Sequence, residues 1–237
     1  MISHNHKCVF IHIPKCGGQS IENIFLEANG LNWGTRGPLL LRENNNPLLG
    51  PPRLAHLTYR DYLEYSYISP DLMQSYTTFT IVRNPYKRIE SLYRYLGYDC
   101  AVPFSRFVTK MLAGQLEKKG DLYWFVRPQY DYVCDHAGAI AVDKVINLEQ
   151  LDENIHFLLA SVGIQSKSIP HVNMSKKKSM LTNLRKKIGH AAKGCFSLNP
   201  FFSAKAVWDT TALAAVNNFY MIDFQSFGYD TKVCEDA

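Results

Sequence analysis

Two short stretches of the chain combine lysine, glycine, serine and arginine in patterns suited to holding an anion. The first is Pro14-Lys15-Cys16-Gly17-Gly18-Gln19-Ser20, between an apolar run and an amphipathic one. Glycines let successive backbone N–H groups approach an oxyanion without interference from Cβ, and a helix that starts there adds unsatisfied amides and the positive end of its dipole. Lys15 supplies a point charge and Ser20 a hydroxyl donor. The lysine precedes the glycines, so the spacing is not the Gly-x-x-x-x-Gly-Lys-Ser/Thr of a Walker A loop, and Gly-x-Gly-x-x-Gly is also absent. The loop therefore suits a phosphate-like group held otherwise than ATP usually is. The second stretch is Arg83-Asn84-Pro85 with Ser91 eight positions after the arginine. Arginine is a planar, permanently charged donor suited to phosphate. A third candidate is His56, because an imidazole titrates near neutral pH and can take a hydroxyl proton.

The elements needed to position these residues can be read from periodicity. Residues 8–13 (CVFIHI) predict a buried strand, stopped by Pro14. Ile21, Ile24, Phe25 and Ala28 then mark one face of a helix ending near Gly30. Residues 29–55, rich in Gly, Pro and Asn, predict a long irregular loop with a short helix over 39–42. Residues 79–82 (FTIV) predict a second strand, followed by a helix carrying Ile89, Leu92, Tyr93 and Leu96. A helix over 104–112, a strand over 144–147 and a helix carrying Leu151, Ile155, Leu158, Leu159 and Val162 follow. A late helix carries Leu213, Val216 and Tyr220 and ends before Gly228. Strands alternating with helices predict an α/β fold with a central parallel sheet covered on both faces. One domain over 1–237 is expected, with the loop 29–55 and a basic, loop-rich segment 171–195 as elaborations.

Composition narrows the class. The chain has 237 residues, 46% hydrophobic and 13% aromatic, too apolar for a disordered tail. Gly and Pro, at 14 and 11, exclude a fibrous or low-complexity chain. The net charge of +5 suits an anionic ligand without indicating nucleic acid. The cysteines at 8, 16, 100, 134, 195 and 234 form no Cys-x-x-Cys pair, which argues against zinc and thioredoxin-like chemistry. His4, His6 and His12 lack metal-ligand spacing, and His12, inside the first expected strand, reads as structural or loop-positioning. No apolar run is long enough to span a bilayer and no signal peptide is evident, so the expected location is cytoplasmic.

FIHIPKCGGQS resembles the 5′-phosphosulfate loop of sulfotransferases that use 3′-phosphoadenosine 5′-phosphosulfate (PAPS). It is most similar to the carbohydrate branch that includes the heparan sulfate 2-O- and 6-O-sulfotransferases, where the segment commonly reads His-Ile-Pro-Lys-Thr-Gly-Gly-Thr-Ser. Cys16 and Gln19 stand where that branch has threonines, which removes hydroxyl donors and leaves the backbone cradle intact. Arg-x-Pro followed by Ser is similar to the family's 3′-phosphate-binding strand and helix, and the segment after His56 resembles its catalytic-base segment. DKVINLEQLDENIHFLLASVGI, IPHVNMSKKK and FYMIDFQSFGY resemble the rest of the family.

The resemblance implies a nucleotide-kinase-like sulfotransferase fold with PAPS as donor, 3′,5′-ADP as product and no metal. It implies that Lys15, Cys16, Gly17, Gly18, Gln19 and Ser20 hold the 5′-phosphosulfate. Arg83 and Ser91 would hold the 3′-phosphate, and Ser175 and Lys176 would lie over the nucleotide. His56 would act as base, with Lys15 stabilising the leaving oxygen. The implied acceptor is a hydroxyl of a glycan or glycosylated small molecule. Two other classes stay open at this level. One is an ATP-dependent phosphotransferase. The other is a non-enzymatic module that binds an anionic glycan or nucleic acid through the basic segment 176–187.

Overall fold

β-Branched and aromatic residues dominate the two runs at the centre of the sheet, CVFI and TTFTIV. Such side chains suit a pleated surface buried on both faces. The computed structural model describes residues 1–100, 102–165 and 205–233. Ser175, Lys176 and the basic stretch 171–195 lie outside them. The described strands form a four-stranded sheet in the order β1 (Ile2–Ser3), β2 (Cys8–Ile11), β3 (Thr77–Val82) and β4 (Lys144–Asn147). β2, β3 and β4 run parallel, with Ile11 opposite Thr80 and Val82 opposite Asn147. Asp143 pins β4 to β3: its carboxylate accepts from the Thr78 amide at 2.7 Å and the Thr78 hydroxyl at 2.8 Å.

Two details depart from the expected sheet. β1 pairs antiparallel with β2, so the sheet is mixed; a two-residue strand is too short to carry a period. β2 stops at Ile11 rather than residue 13. The His12 carbonyl is directed to the His56 ring at 2.9 Å, off the ladder.

The chain divides into two compact units, Met1–Arg83 with Pro128–Met174 and Asn84–Arg127 with Ser175–Ala237. The first unit holds the sheet and helices α1 (Gly18–Ala28), α2 (Tyr59–Glu64) and α3 (Pro70–Ser75), together with the helix Leu151–Ser161. Phe10, Phe25 and Phe79 stack in its core, with ring centroids 4.9 Å apart for Phe10–Phe79 and 6.1 Å for Phe25–Phe79. Loop 29–55 is folded on itself: the Leu54 amide donates to the Arg42 carbonyl and the Asn44 amide to Pro52. The helix expected over 39–42 is a 3₁₀ turn, Gly37–Leu39, ended by Leu40 in the left-handed region at φ 60°.

Among the described residues the second unit is helical. It contains α4 (Pro85–Leu96) and, among others, the helices Thr210–Phe219 and Met221–Phe227. Tyr86, Tyr93, Phe104, Phe107 and Phe224 build its aromatic core. The helix expected over 104–112 is α-helical only at Phe104–Arg106 and widens to a π-helix over Phe107–Leu112. Within it the Thr109 hydroxyl takes the Ser105 carbonyl at 2.9 Å, competing with the backbone ladder. The late helix is two helices, breaking at Tyr220, whose buried hydroxyl donates to the Val126 carbonyl at 2.7 Å. Among the described residues no helix is long and apolar enough to cross a membrane.

Candidate active site

In the first unit, the segments that follow β2, β3 and β4 all leave from the carboxyl ends of parallel strands, the edge where open α/β sheets bind ligands. After β2 comes the glycine turn. Lys15 sits at φ 68°, a region uncommon for residues with a side chain, and Gly17 caps α1 at φ 81°. The cap makes no side-chain hydrogen bond, and no acidic residue lies in the first turn of α1. That end of the helix therefore keeps its preference for negative charge.

Both glycines are required by their neighbours. A Cβ on Gly17 would stand 2.6 Å from Leu148 Cδ1, just past β4. A Cβ on Gly18 would stand 2.3 Å from His12 Cδ2 and 2.4 Å from its Nε2. The turn is thus a narrow cradle closed by Leu148 and by the His12 ring.

Arg83 follows β3 and is half-buried. Its Nη1 donates to the Lys15 carbonyl at 3.2 Å, tying the two candidate anion sites together. Gln129, fully buried, holds the Arg83 backbone as a neighbouring strand would. Its Oε1 accepts from the Arg83 amide at 2.8 Å, and its Nε2 donates to the Arg83 carbonyl at 2.8 Å. The same Oε1 accepts from Cys16 Sγ at 3.1 Å. The Cys16 side chain is therefore turned inward, at 1% exposure, and joins the glycine turn to the end of β3.

His56 closes loop 29–55 in the 3₁₀ turn Leu54–His56. A capping box follows at once: the Thr58 hydroxyl accepts from the Asp61 amide, and the Asp61 carboxylate accepts from the Thr58 amide. It starts α2 and fixes the chain's exit from His56. The ring is buried, and its Nδ1 lies 2.9 Å from the His12 carbonyl. A carbonyl can only accept, so Nδ1 carries the hydrogen and Nε2 carries the lone pair. Burial is the main cause that pushes the His56 pKa well below the usual 6.5, with the charges of His12 and Arg53 acting in the same direction.

A model of the sulfotransferase family matches residues 1–230. The chain belongs to that family. Its mixed α/β architecture, a four-stranded central sheet flanked by helices, is consistent with a sulfotransferase fold. Membership makes it a transferase of sulfuryl groups, in a family that generally uses PAPS. No curated protein and no solved structure gives a match.

In this sulfotransferase, Lys15, Cys16, Gly17, Gly18, His56 and Arg83 are linked within one unit, and Gln19 and Ser20 continue the turn into α1. Ser91 belongs to α4 of the second unit. Arg88, on the same helix, is a structural residue. It is fully buried and donates to the carbonyls of Arg127 and Phe125. Arg94 pairs with Glu90 at 3.5 Å on the surface. His4, His6 and His12 turn to Tyr76, Val162 and Glu22 respectively, three separate partners. Two residues beyond the sequence reading matter here. Gln129 carries no local pattern that announces it. Glu22 does: it stands four residues after Gly18 and three before Phe25, on the face that α1 buries.

Proposed function

We propose that this sulfotransferase moves a sulfuryl group from PAPS to a hydroxyl, with a carbohydrate as the acceptor class. The observation that carries the reading is the linked cluster at the strand ends, in which the guanidinium of Arg83 is bonded to the carbonyl of Lys15. One cation serves each end of a nucleotide that bears charge on both its 5′ and 3′ groups. The start of α1 supports the donor further, since Gly17 caps it without a side-chain hydrogen bond and no acidic residue lies in its first turn. An anion there would meet backbone amides and a helix N-terminus.

In the proposed reaction His56 Nε2 takes the proton of the acceptor hydroxyl. The freed oxygen attacks sulfur, the bond between sulfur and the bridging phosphate oxygen breaks, and 3′,5′-ADP departs. Lys15 offsets the negative charge that grows on that bridging oxygen. The amides of Gly17 and Gly18 and the Ser20 hydroxyl hold the 5′ group, while Arg83 holds the 3′-phosphate. Cys16 and Gln19 contribute through their backbone. As in phosphoryl transfer, the protein's work is positioning and charge stabilisation.

The test is release of 3′,5′-ADP from PAPS, dependent on a hydroxyl acceptor, by the wild-type protein and Lys15→Ala. The expected result is a loss of turnover of about 10²–10³-fold in the variant, with a smaller loss of 3′,5′-ADP affinity. Unchanged turnover in Lys15→Ala would remove the lysine from the mechanism. Phosphoryl transfer from ATP with magnesium in place of sulfuryl transfer would replace the reading.

A further inference from the structure

The His12 ring has a defined neighbour on each side. Its Nδ1 lies 2.5 Å from Glu22 Oε1 in α1, and both side chains are buried. One face is stacked on Phe10, with centroids 5.4 Å apart and planes 16° from parallel. The edge carrying Nε2 and Cδ2 lies over Gly18, in the space a Cβ would need. His56 meets the ring edge-on, with centroids 4.5 Å apart. The backbone of His12 adds a fifth tie, because its carbonyl accepts from His56 Nδ1.

A carboxylate as buried as Glu22, at 4% exposure, is costly unless it is hydrogen-bonded. Such pairs contribute little net stability and are better at enforcing one geometry. Here the geometry enforced is the angle of the His12 ring. If the ring turned about its side-chain bonds, it would leave Glu22 and Gly18 together and change the surface against which His56 rests.

We infer that His12 and Glu22 form a positioning pair that sets the His56 ring relative to the glycine turn. The inference rests on the proposed function, in which His56 is the base and the turn holds the donor. It gives roles to two residues that touch neither reactant. α1 carries the cradle at its first turn and Glu22 one turn later, so the pair couples the position of the donor to the position of the base. A shift of about 1 Å between reacting groups can cost about 100-fold in rate.

Glu22→Leu and Glu22→Gln test this, read by kcat, acceptor KM, 3′,5′-ADP affinity and thermal midpoint. Leucine removes the hydrogen-bond acceptor, whereas glutamine keeps an amide oxygen for His12 Nδ1–H. The expected result for Glu22→Leu is a fall of kcat by about 10–100-fold with acceptor KM and 3′,5′-ADP affinity held, and recovery of most of that loss in Glu22→Gln. Unchanged kcat in Glu22→Leu overturns the inference, as does a Gln variant no better than Leu at matched stability. If Glu22→Leu does not fold, His12→Asn decides. Its amide nitrogen replaces Nδ1 towards Glu22 while the ring against Gly18 and His56 is lost, so kcat should fall with nucleotide affinity held. Unchanged kcat there overturns the inference too. A wild-type protein that transfers no sulfuryl group from PAPS defeats the proposed function itself, whereas a competent wild type with indifferent variants defeats only the pair.

Discussion

The bond from His56 Nδ1 to the His12 carbonyl sets which ring nitrogen carries the hydrogen. With Nδ1 donating to the His12 carbonyl, the ring is held in the tautomer that leaves Nε2 basic, and burial keeps it neutral well below pH 6.5. Two consequences follow for pH. With His56 as the proposed base, the acid limb of kcat/KM should lie below 6.5, because its ring stays unprotonated further into the acid range than a free imidazole. Stability should move the same way. Between the depressed folded value and 6.5 the unfolded chain binds the proton and the folded one does not, so stability present above 6.5 is lost as pH falls through that window. Denaturant titrations from pH 7.5 to pH 4.5 should show that loss in the wild type and less of it in His56→Gln. An equal loss in both would mean that His56 is not the group responsible. His56→Ala should also abolish transfer by about 10²–10⁴-fold while binding 3′,5′-ADP; equal loss of both would make the residue structural. Lys15, the glycines, Arg83 and His56 could be singled out from the sequence because each sits beside a strand or loop boundary with a readable pattern. Gln129 could not: it lies far along the chain from Cys16 and Arg83, and only the fold brings its amide to both.

At the scale of elements, the glycine turn is the part with least freedom. Gly17 combines a φ of 81° with a Leu148 methyl group 2.6 Å from where a Cβ would stand. Gly18 faces the His12 ring at 2.3 Å. Alanine at 17 should cost about 1–2 kcal/mol from the left-handed backbone alone, and Leu148 can give way. Alanine at 18 should cost about 1–3 kcal/mol by overpacking, because His12 is clamped by Glu22 and Phe10. Gly18→Ala should therefore lower turnover as well as the urea midpoint. A variant that kept both would show that the ring is not clamped. The long amphipathic elements, α1, α4 and Leu151–Ser161, were readable because each repeats its apolar residues over ten or more positions. The short ones were not. α2 and α3 have six residues each and rest on caps, Thr58 with Asp61 and Ser69 with the Leu72 amide, rather than on periodicity. The π-helical turn carries a bond from the Thr109 hydroxyl to the Ser105 carbonyl, which no hydrophobic pattern records.

For the whole molecule, the parallel core of the sheet follows from strands alternating with helices, and family membership over residues 1–230 agrees with it. The antiparallel β1 and the division into two compact units had no counterpart in that alternation. The formal charge of +5 is modest, and the proposed binding rests on placed cations at strand ends, not on the overall field. In the proposed function the chain grips a nucleotide by anionic groups on both sides of its ribose. A ligand that binds only the folded protein raises its thermal midpoint by mass action, by about 2.7 kcal/mol of apparent stability at 100 times its dissociation constant. The direct measurement is the thermal midpoint with 3′,5′-ADP, ADP or ATP at equal concentration, for the wild type and Arg83→Ala. The largest rise is expected with 3′,5′-ADP, reduced in Arg83→Ala to the rise seen with ADP. A larger rise with ATP and magnesium, or a 3′,5′-ADP effect indifferent to Arg83, would contradict it.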